Sequence, residues 1–265
     1  MEILGYFLAA LVGISLGLIG GGGSILMVPI LVYVFALNPV LATSYSLFVV
    51  GFTSLVGAIN NYRKGLVSIK TALLFGITSV STVFITRKLI MPRIPDVLFS
   101  IGDFKVKHDL ATMVLFAILM LLASVAMIKG GSKNTNADTI TSSADTIKLL
   151  LFGFLVGLTT GFLGAGGGFL IIPALVLILK TPMKKAVGTS LLIIALNSLI
   201  GFTGDLGNIS INWKFLISIS LIAVAGIFIG GALSKKISGP KLKKGFGWFV
   251  LIMGVYIIIN ELFLT

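Results

Sequence analysis

The chain has 265 residues, 57% of them hydrophobic and 11% charged, with a formal net charge of +12. A soluble domain usually carries about 25% charged residues, so a mean hydropathy of +1.15 excludes an ordinary soluble fold. In a membrane chain the surplus of Lys and Arg reads as loop anchoring on the cytoplasmic side, and no nucleic-acid partner is expected.

Cysteine is absent, which rules out disulfides and thiolate metal sites. The single histidine, His108, has no second imidazole to share a metal with, so no metal site is expected. The start, Met1-Glu-Ile-Leu-Gly-Tyr-Phe7, lacks the basic region of a secretory signal, and the first apolar run reads as a retained membrane segment.

That first run covers residues 3–37, roughly 50 Å as one helix and well beyond the membrane core. Four consecutive glycines, Gly20 to Gly23, divide it into segments 3–19 and 25–37, each short for a full crossing. Pro29 falls near the start of the second segment, where a missing N–H does little harm, and Asn38-Pro39 makes a turn. Segment 40–59 is dotted with Thr43, Ser44, Ser46, Thr53 and Ser54, and a loop follows over 60–65. Segment 67–85 ends at Arg87-Lys88. Residues 92–109 read as a loop with a short interfacial piece around 97–101, and 110–128 as a plain spanning helix. A polar stretch over 129–147 then separates a first repeat, residues 1–128, from a second, residues 148–265.

The second half echoes the first. A shift of 144 residues places Gly13 on Gly157, Gly17 on Gly161, Gly20 on Gly164, Gly22 on Gly166, Gly23 on Gly167 and Pro29 on Pro173. Without a gap it also pairs Ser46 with Ser190, Ser54 with Ser198 and Gly57 with Gly201. The fold class expected is therefore an all-α polytopic membrane protein built by internal duplication. Its later segments are 148–180, broken at the glycines, then 186–202, 213–233 and 246–262, with the basic loop Lys235–Lys244 before the last. If each Gly-broken block crosses once, there are roughly 8 spans and parallel repeats. If each folds back as a hairpin, there are 10 helical segments and inverted repeats. The Lys and Arg distribution does not separate the two; the shortness of the half-blocks favours the hairpin. Both place loop 235–244 inside and both termini outside.

A helix broken inside a membrane exposes backbone N–H groups with no partner in the helix, and in hydrocarbon these must be satisfied by protein, water or ligand. The helix dipole adds partial positive charge there, and glycine lets an anion approach the backbone directly. The candidate substrate-binding residues are accordingly Gly20, Gly21, Gly22, Gly23 and Ser24 in one half, and Gly164, Gly166, Gly167 and Gly168 in the other. Ser46, Thr189, Ser190 and Asn197 form a second layer that can donate to an oxyanion without a buried charge. Gly13, Gly17, Gly157 and Gly161 fit close helix packing instead. Asp205, opposite Asn61 in the alignment of halves, reads as a solvated residue near a helix end. Enzyme motifs are missing: there is no metalloprotease His-Glu pair, no Gly-x-Ser-x-Gly elbow and no Walker-type Gly-Lys-Ser.

The elements Gly17-Leu-Ile-Gly-Gly-Gly-Gly-Ser-Ile-Leu-Met-Val-Pro29 and Gly161-Phe-Leu-Gly-Ala-Gly-Gly-Gly-Phe-Leu-Ile-Ile-Pro173 resemble those of the TauE/SafE sulfite-exporter family. So do Ala42-Thr-Ser-Tyr-Ser46 and Ala186-Val-Gly-Thr-Ser190. The resemblance implies a permease of the prokaryotic inner (plasma) membrane for small sulfur-containing anions such as sulfite, sulfoacetate or other sulfonates, with no catalytic cofactor. Two departures from symmetry, Ala165 opposite Gly21 and Ser24 opposite Gly168, make the half-sites chemically unequal. The expectation is an exporter working by alternating access, coupled to protons or membrane potential, as a monomer or a homo-oligomer in the lipid bilayer. Its alternatives are a passive anion channel and a membrane assembly subunit without transport.

Overall fold

The computed structural model describes residues 2–95, 97–101, 104–129, 143–177, 179, 181–234 and 239–261. Most of the linker expected over 129–147 and the first part of the basic loop, 235–238, lie outside the described residues.

Among the described residues, ten helical segments follow in order: α1 (Glu2–Ile19), α2 (Gly21–Val34), α3 (Pro39–Arg63), α4 (Ile69–Arg93), α5 (His108–Lys129), α6 (Ser143–Leu163), α7 (Gly168–Leu177), α8 (Met183–Asp205), α9 (Trp213–Leu233) and α10 (Gly239–Ile259). Among the described residues, α3, α4, α8 and α9 are long and apolar enough to cross a membrane, and α1, α2, α5, α6 and α10 contain shorter apolar stretches. The outward faces are apolar, with Leu73, Ile77, Leu122, Phe228 and Ile252 all more than half exposed. The inward faces instead carry the hydroxyl residues, an inversion that suits lipid as the solvent. This is a membrane protein.

One expectation about 92–109 needs correcting. Val97–Ile101 (β1) and Phe104–Lys107 (β2) pair as an antiparallel hairpin, with Val97 opposite Lys107 and Ile101 opposite Phe104. Among the described residues this two-stranded hairpin is the only sheet. The β-branched and aromatic content of Val97-Leu-Phe-Ser-Ile101 suits a strand.

Several helices also run past their expected ends. α6 begins at Ser143 and α10 at Gly239. α4 continues through a π-helical turn at Thr86–Ile90, and α8 continues to Asp205.

The Gly-broken blocks fold back. Phe35, just past the end of α2, lies with its ring against Gly5 and Tyr6 near the start of α1, the two aromatic centroids 5.6 Å apart. A Cβ built on Gly23 would lie 2.8 Å from Leu16 N and 2.9 Å from Val12 O. α2 therefore returns antiparallel along α1. Gly167 abuts Val156 and Thr160 in the same way, so α7 turns back on α6. The same closing bond ends both returns: Leu37 N donates to Leu31 O at 3.0 Å and Thr181 N to Leu175 O at 3.2 Å.

The packing is reciprocal. α1 lies along α9 and α6 along α4, while α3 meets α9 and α8 meets α4; α3–α8, α2–α7 and α5–α10 pair with each other. α3 and α8 form the centre, with 67% of an apolar 18-residue stretch of each buried against 39% for α4 and α9. Glycine sets the close crossings. A Cβ on Gly13 would collide with Ala223 O, and one on Gly226 with Ala10 O. Gly157 faces Ser79 and Thr82, and Gly161 faces Thr86. In lipid, where apolar side chains gain little from leaving the solvent, such backbone approach is what holds helices together.

Candidate functional site: two glycine breaks on the α3–α8 seam

The two breaks differ in width. In the first, only Gly20 leaves the helix, at φ +80°, and α2 resumes at once as a tight 3-10 turn over Gly21–Leu26. Gly21, Gly22, Gly23 and Ser24 are thus helical, and the glycine run is the start of α2 rather than the gap. The second break spans residues 164–167, with Gly164 at φ +66°, before α7 starts at Gly168. Positive φ is strained for any residue with a Cβ, which explains glycine at 20 and 164.

The first residues of α2 and α7 meet inside the protein. A Cβ on Gly21 would fall on the backbone of Gly168, and one on Gly168 would fall on Gly21. From that contact the breaks extend in opposite directions along the central seam. Gly20 sits near Ser190 and Val187 of α8, Gly168 beside Ile194, Gly166 beside Ser198 and Val50, and Gly164 against Thr43 of α3. Val187 to Ser198 is eleven residues of helix, about 16 Å. The glycines therefore form a ladder with the two helix starts near its middle.

The hydroxyl layer divides. Ser24 Oγ donates to Gly21 O at 2.7 Å and Ser190 Oγ to Val187 O at 2.9 Å, so both are engaged locally. Thr189 Oγ1 accepts from Ser68 N at 2.9 Å, across the entry to α4. Thr189→Val should leave that N–H without its acceptor and lower stability by about 1 kcal/mol, read as a lower detergent-solubilised melting temperature and faster amide exchange at Ser68. Asn197 Oδ1 accepts from Ser79 Oγ at 2.8 Å, while its Nδ2 makes no hydrogen bond. Ser46, Thr53, Ser54 and Ser198 are also buried with hydroxyls that bond nothing in the protein. An unmet buried polar group costs about 1–3 kcal/mol. All five of these residues lie on the two central helices, α3 and α8.

One group was not legible as a site residue. Arg87 is 1% exposed and Asp205 6%. Arg87 Nη1 lies 3.2 Å from Asp205 Oδ2, 3.1 Å from Thr43 Oγ1 and 3.3 Å from Ser44 Oγ, and Ser44 Oγ also donates to Asp205 Oδ2. Asp205 is thus buried and paired, not solvated. The cluster ties α4, α8 and α3 together beside Thr43, and hence beside the Gly164 end of the ladder. At the other end of the seam the same shift of 144 residues puts Gly231 at the place of Arg87, Asn61 at that of Asp205, Gly188 at that of Ser44 and Val187 at that of Thr43. The buried ion pair therefore has no counterpart at the positions that the shift relates to it.

The family model described as sulfite exporter TauE/SafE matches residues 6–257. A probable membrane transporter protein of Xylella fastidiosa (strain Temecula1) is 31% identical over 252 residues, covering 94% of this chain and 91% of the relative. The probable membrane transporter protein YunE of Bacillus subtilis is 28% identical over 260 residues, covering 91% and 89%. One from Haemophilus influenzae is 23% identical over 276 residues, covering 96% of each. No solved structure matches the chain. A match over nearly the whole length, on a helical fold with an apolar outer face, makes this chain a member of the TauE/SafE family of membrane transporters.

Proposed function

We propose that the protein is a secondary transporter that exports small sulfur-containing anions such as sulfite, sulfoacetate or other sulfonates across the inner (plasma) membrane, with both termini outside. The observation that carries this reading is the meeting of two helix starts at Gly21 and Gly168, within the bundle and among unpartnered hydroxyls. Helix N-termini carry partial positive charge and free N–H groups, and discontinuous helices hold the substrate in many secondary transporters. Gly20, Gly21, Gly22, Gly23, Ser24, Gly164, Gly166, Gly167 and Gly168 supply backbone to the anion, and Ser46, Thr189, Ser190 and Asn197 border it.

We further take residues 1–128 and 148–265 as inverted repeats. Five helical segments per half, the two fold-backs and the reciprocal pairing of α1–α9 with α6–α4 support that. Alternating access is then a rocking of one half on the other about the α3–α8 seam.

The test is uptake into proteoliposomes of sulfite, thiosulfate, sulfoacetate, taurine, sulfate and chloride, at set pH gradients and membrane potentials. Saturable, gradient-driven movement of a sulfur anion is expected, with counterflow. A folded protein that moves none of them would sink the proposal; conductance without counterflow would make it a channel. Dependence on the pH gradient or on the potential identifies the coupling.

A further inference from the structure

We propose that the Nε–Nη2 edge of Arg87 is a bidentate binding site for an oxyanion at the Gly164 end of the glycine ladder. It rests on the anion-transport reading above, to which it adds a specific side chain and a specific end of the path.

All hydrogen bonds of the guanidinium to Asp205, Thr43 and Ser44 leave from Nη1. Nε and Nη2 are buried and bond nothing in the protein. In a guanidinium the N–H of Nε and one N–H of Nη2 point the same way, in parallel. That edge is the fork which matches two oxygens on one atom, as in a carboxylate, a sulfite or a sulfonate. A monatomic halide cannot use both donors with straight geometry.

The surroundings suit such a role. Asp205 and the two hydroxyls grip the far end of the group, so the fork is held in one orientation before any ligand arrives. The Asp205 carboxylate also opposes an incoming anion, which keeps binding weak enough for release, as conduction through a series of sites requires. Thr43 joins the cluster to the ladder, since its backbone and Cβ lie against Gly164. Thr86, whose hydroxyl is likewise buried and unbonded, precedes Arg87 and packs on Gly161. At the opposite end Gly231 replaces the arginine, and a Cβ built there meets nothing within 4 Å. The buried arginine thus has no counterpart at the position that the shift of 144 residues relates to it.

The experiment uses the purified full-length protein in detergent at constant ionic strength. Sulfite, acetate and chloride are titrated against its melting temperature, and sulfite uptake is followed in proteoliposomes. Arg87→Lys keeps the charge facing Asp205 and removes the fork. Arg87→Gln with Asp205→Asn removes both charges at nearly constant shape, and decides the matter if the lysine variant does not fold. Wild type is expected to prefer the oxyanions to chloride, and both variants to bind sulfite at least 10-fold more weakly. A purely structural arginine would lower the ligand-free melting temperature and leave sulfite affinity unchanged; that result overturns the proposal. If sulfite uptake proceeds in wild type while the variants bind it normally, the Arg87 site falls and the transport reading stands. Acetate binding that depends on Arg87, with no sulfite bound, keeps the site and removes the sulfur anion. Wild type that binds no oxyanion removes both.

Discussion

Gly21→Ala should leave less than a tenth of wild-type transport and destabilise the protein by about 3 kcal/mol. Overfilling a packed interior costs about 1–3 kcal/mol when side chains can shift aside. Here the new methyl group would meet the Cα, C and O of Gly168, which are main chain and cannot rotate away. α7 would have to move as a body, and the two helix starts would part. Gly168→Ala should do the same from the other side, with Ile194 Cδ1 also in the way. Gly76→Ala is the control: it lies in a helix, nothing lies within 4 Å of its Cβ position, and alanine gains up to about 1 kcal/mol of helix propensity. Melting temperature and initial uptake rate, measured together, check this. A folded Gly21→Ala protein with wild-type rates would show that the contact does not matter for transport.

The ladder was half legible in the sequence. Glycine runs repeated at a fixed interval in an apolar chain point to paired breaks, and 144 residues after Ser46 and Ser54 the same hydroxyls recur as Ser190 and Ser198. The hairpin followed from length, because neither half-block is long enough to cross comfortably. What could not be read was the unequal geometry. Gly20 alone breaks the first block, while the second opens over residues 164–167, and only the packing of each return on its own first helix decides that. Residues 97–107 offered too little alternation to distinguish a strand from a loop.

Arg87 and Asp205 were missed for a physical reason. Each sits at the end of an apolar run, where a charged residue normally marks the water interface. α4 instead continues to Arg93 and α8 to Asp205, which carries both charges into the bundle. A signal was available: Asp205 aligns with Asn61 and Arg87 with Gly231, so each half carries one charge that its counterpart lacks, a base in the first and an acid in the second.

That pairing leads to the other large expected effect. Asp205→Ala should lower stability by about 3–5 kcal/mol, the usual cost of breaking a buried pair by deleting one partner, and with it the yield of folded protein. The penalty comes from the stranded guanidinium more than from the lost attraction, because Arg87 then keeps only Thr43 and Ser44 as acceptors. Replacing both partners together separates the two contributions. Arg87→Met with Asp205→Leu removes the charges at similar volume, and such apolar replacements of buried pairs are commonly neutral or stabilising. The double variant is therefore expected to regain most of the melting temperature lost in Asp205→Ala. Additive losses in this double-mutant cycle, with the double variant less stable than either single one, would mean that the two side chains do not act as a pair. Recovery of stability without recovery of transport would separate what the ion pair does for the solute from what it does for the fold, since an apolar pair can pack α4 against α8 but offers an anion no donor.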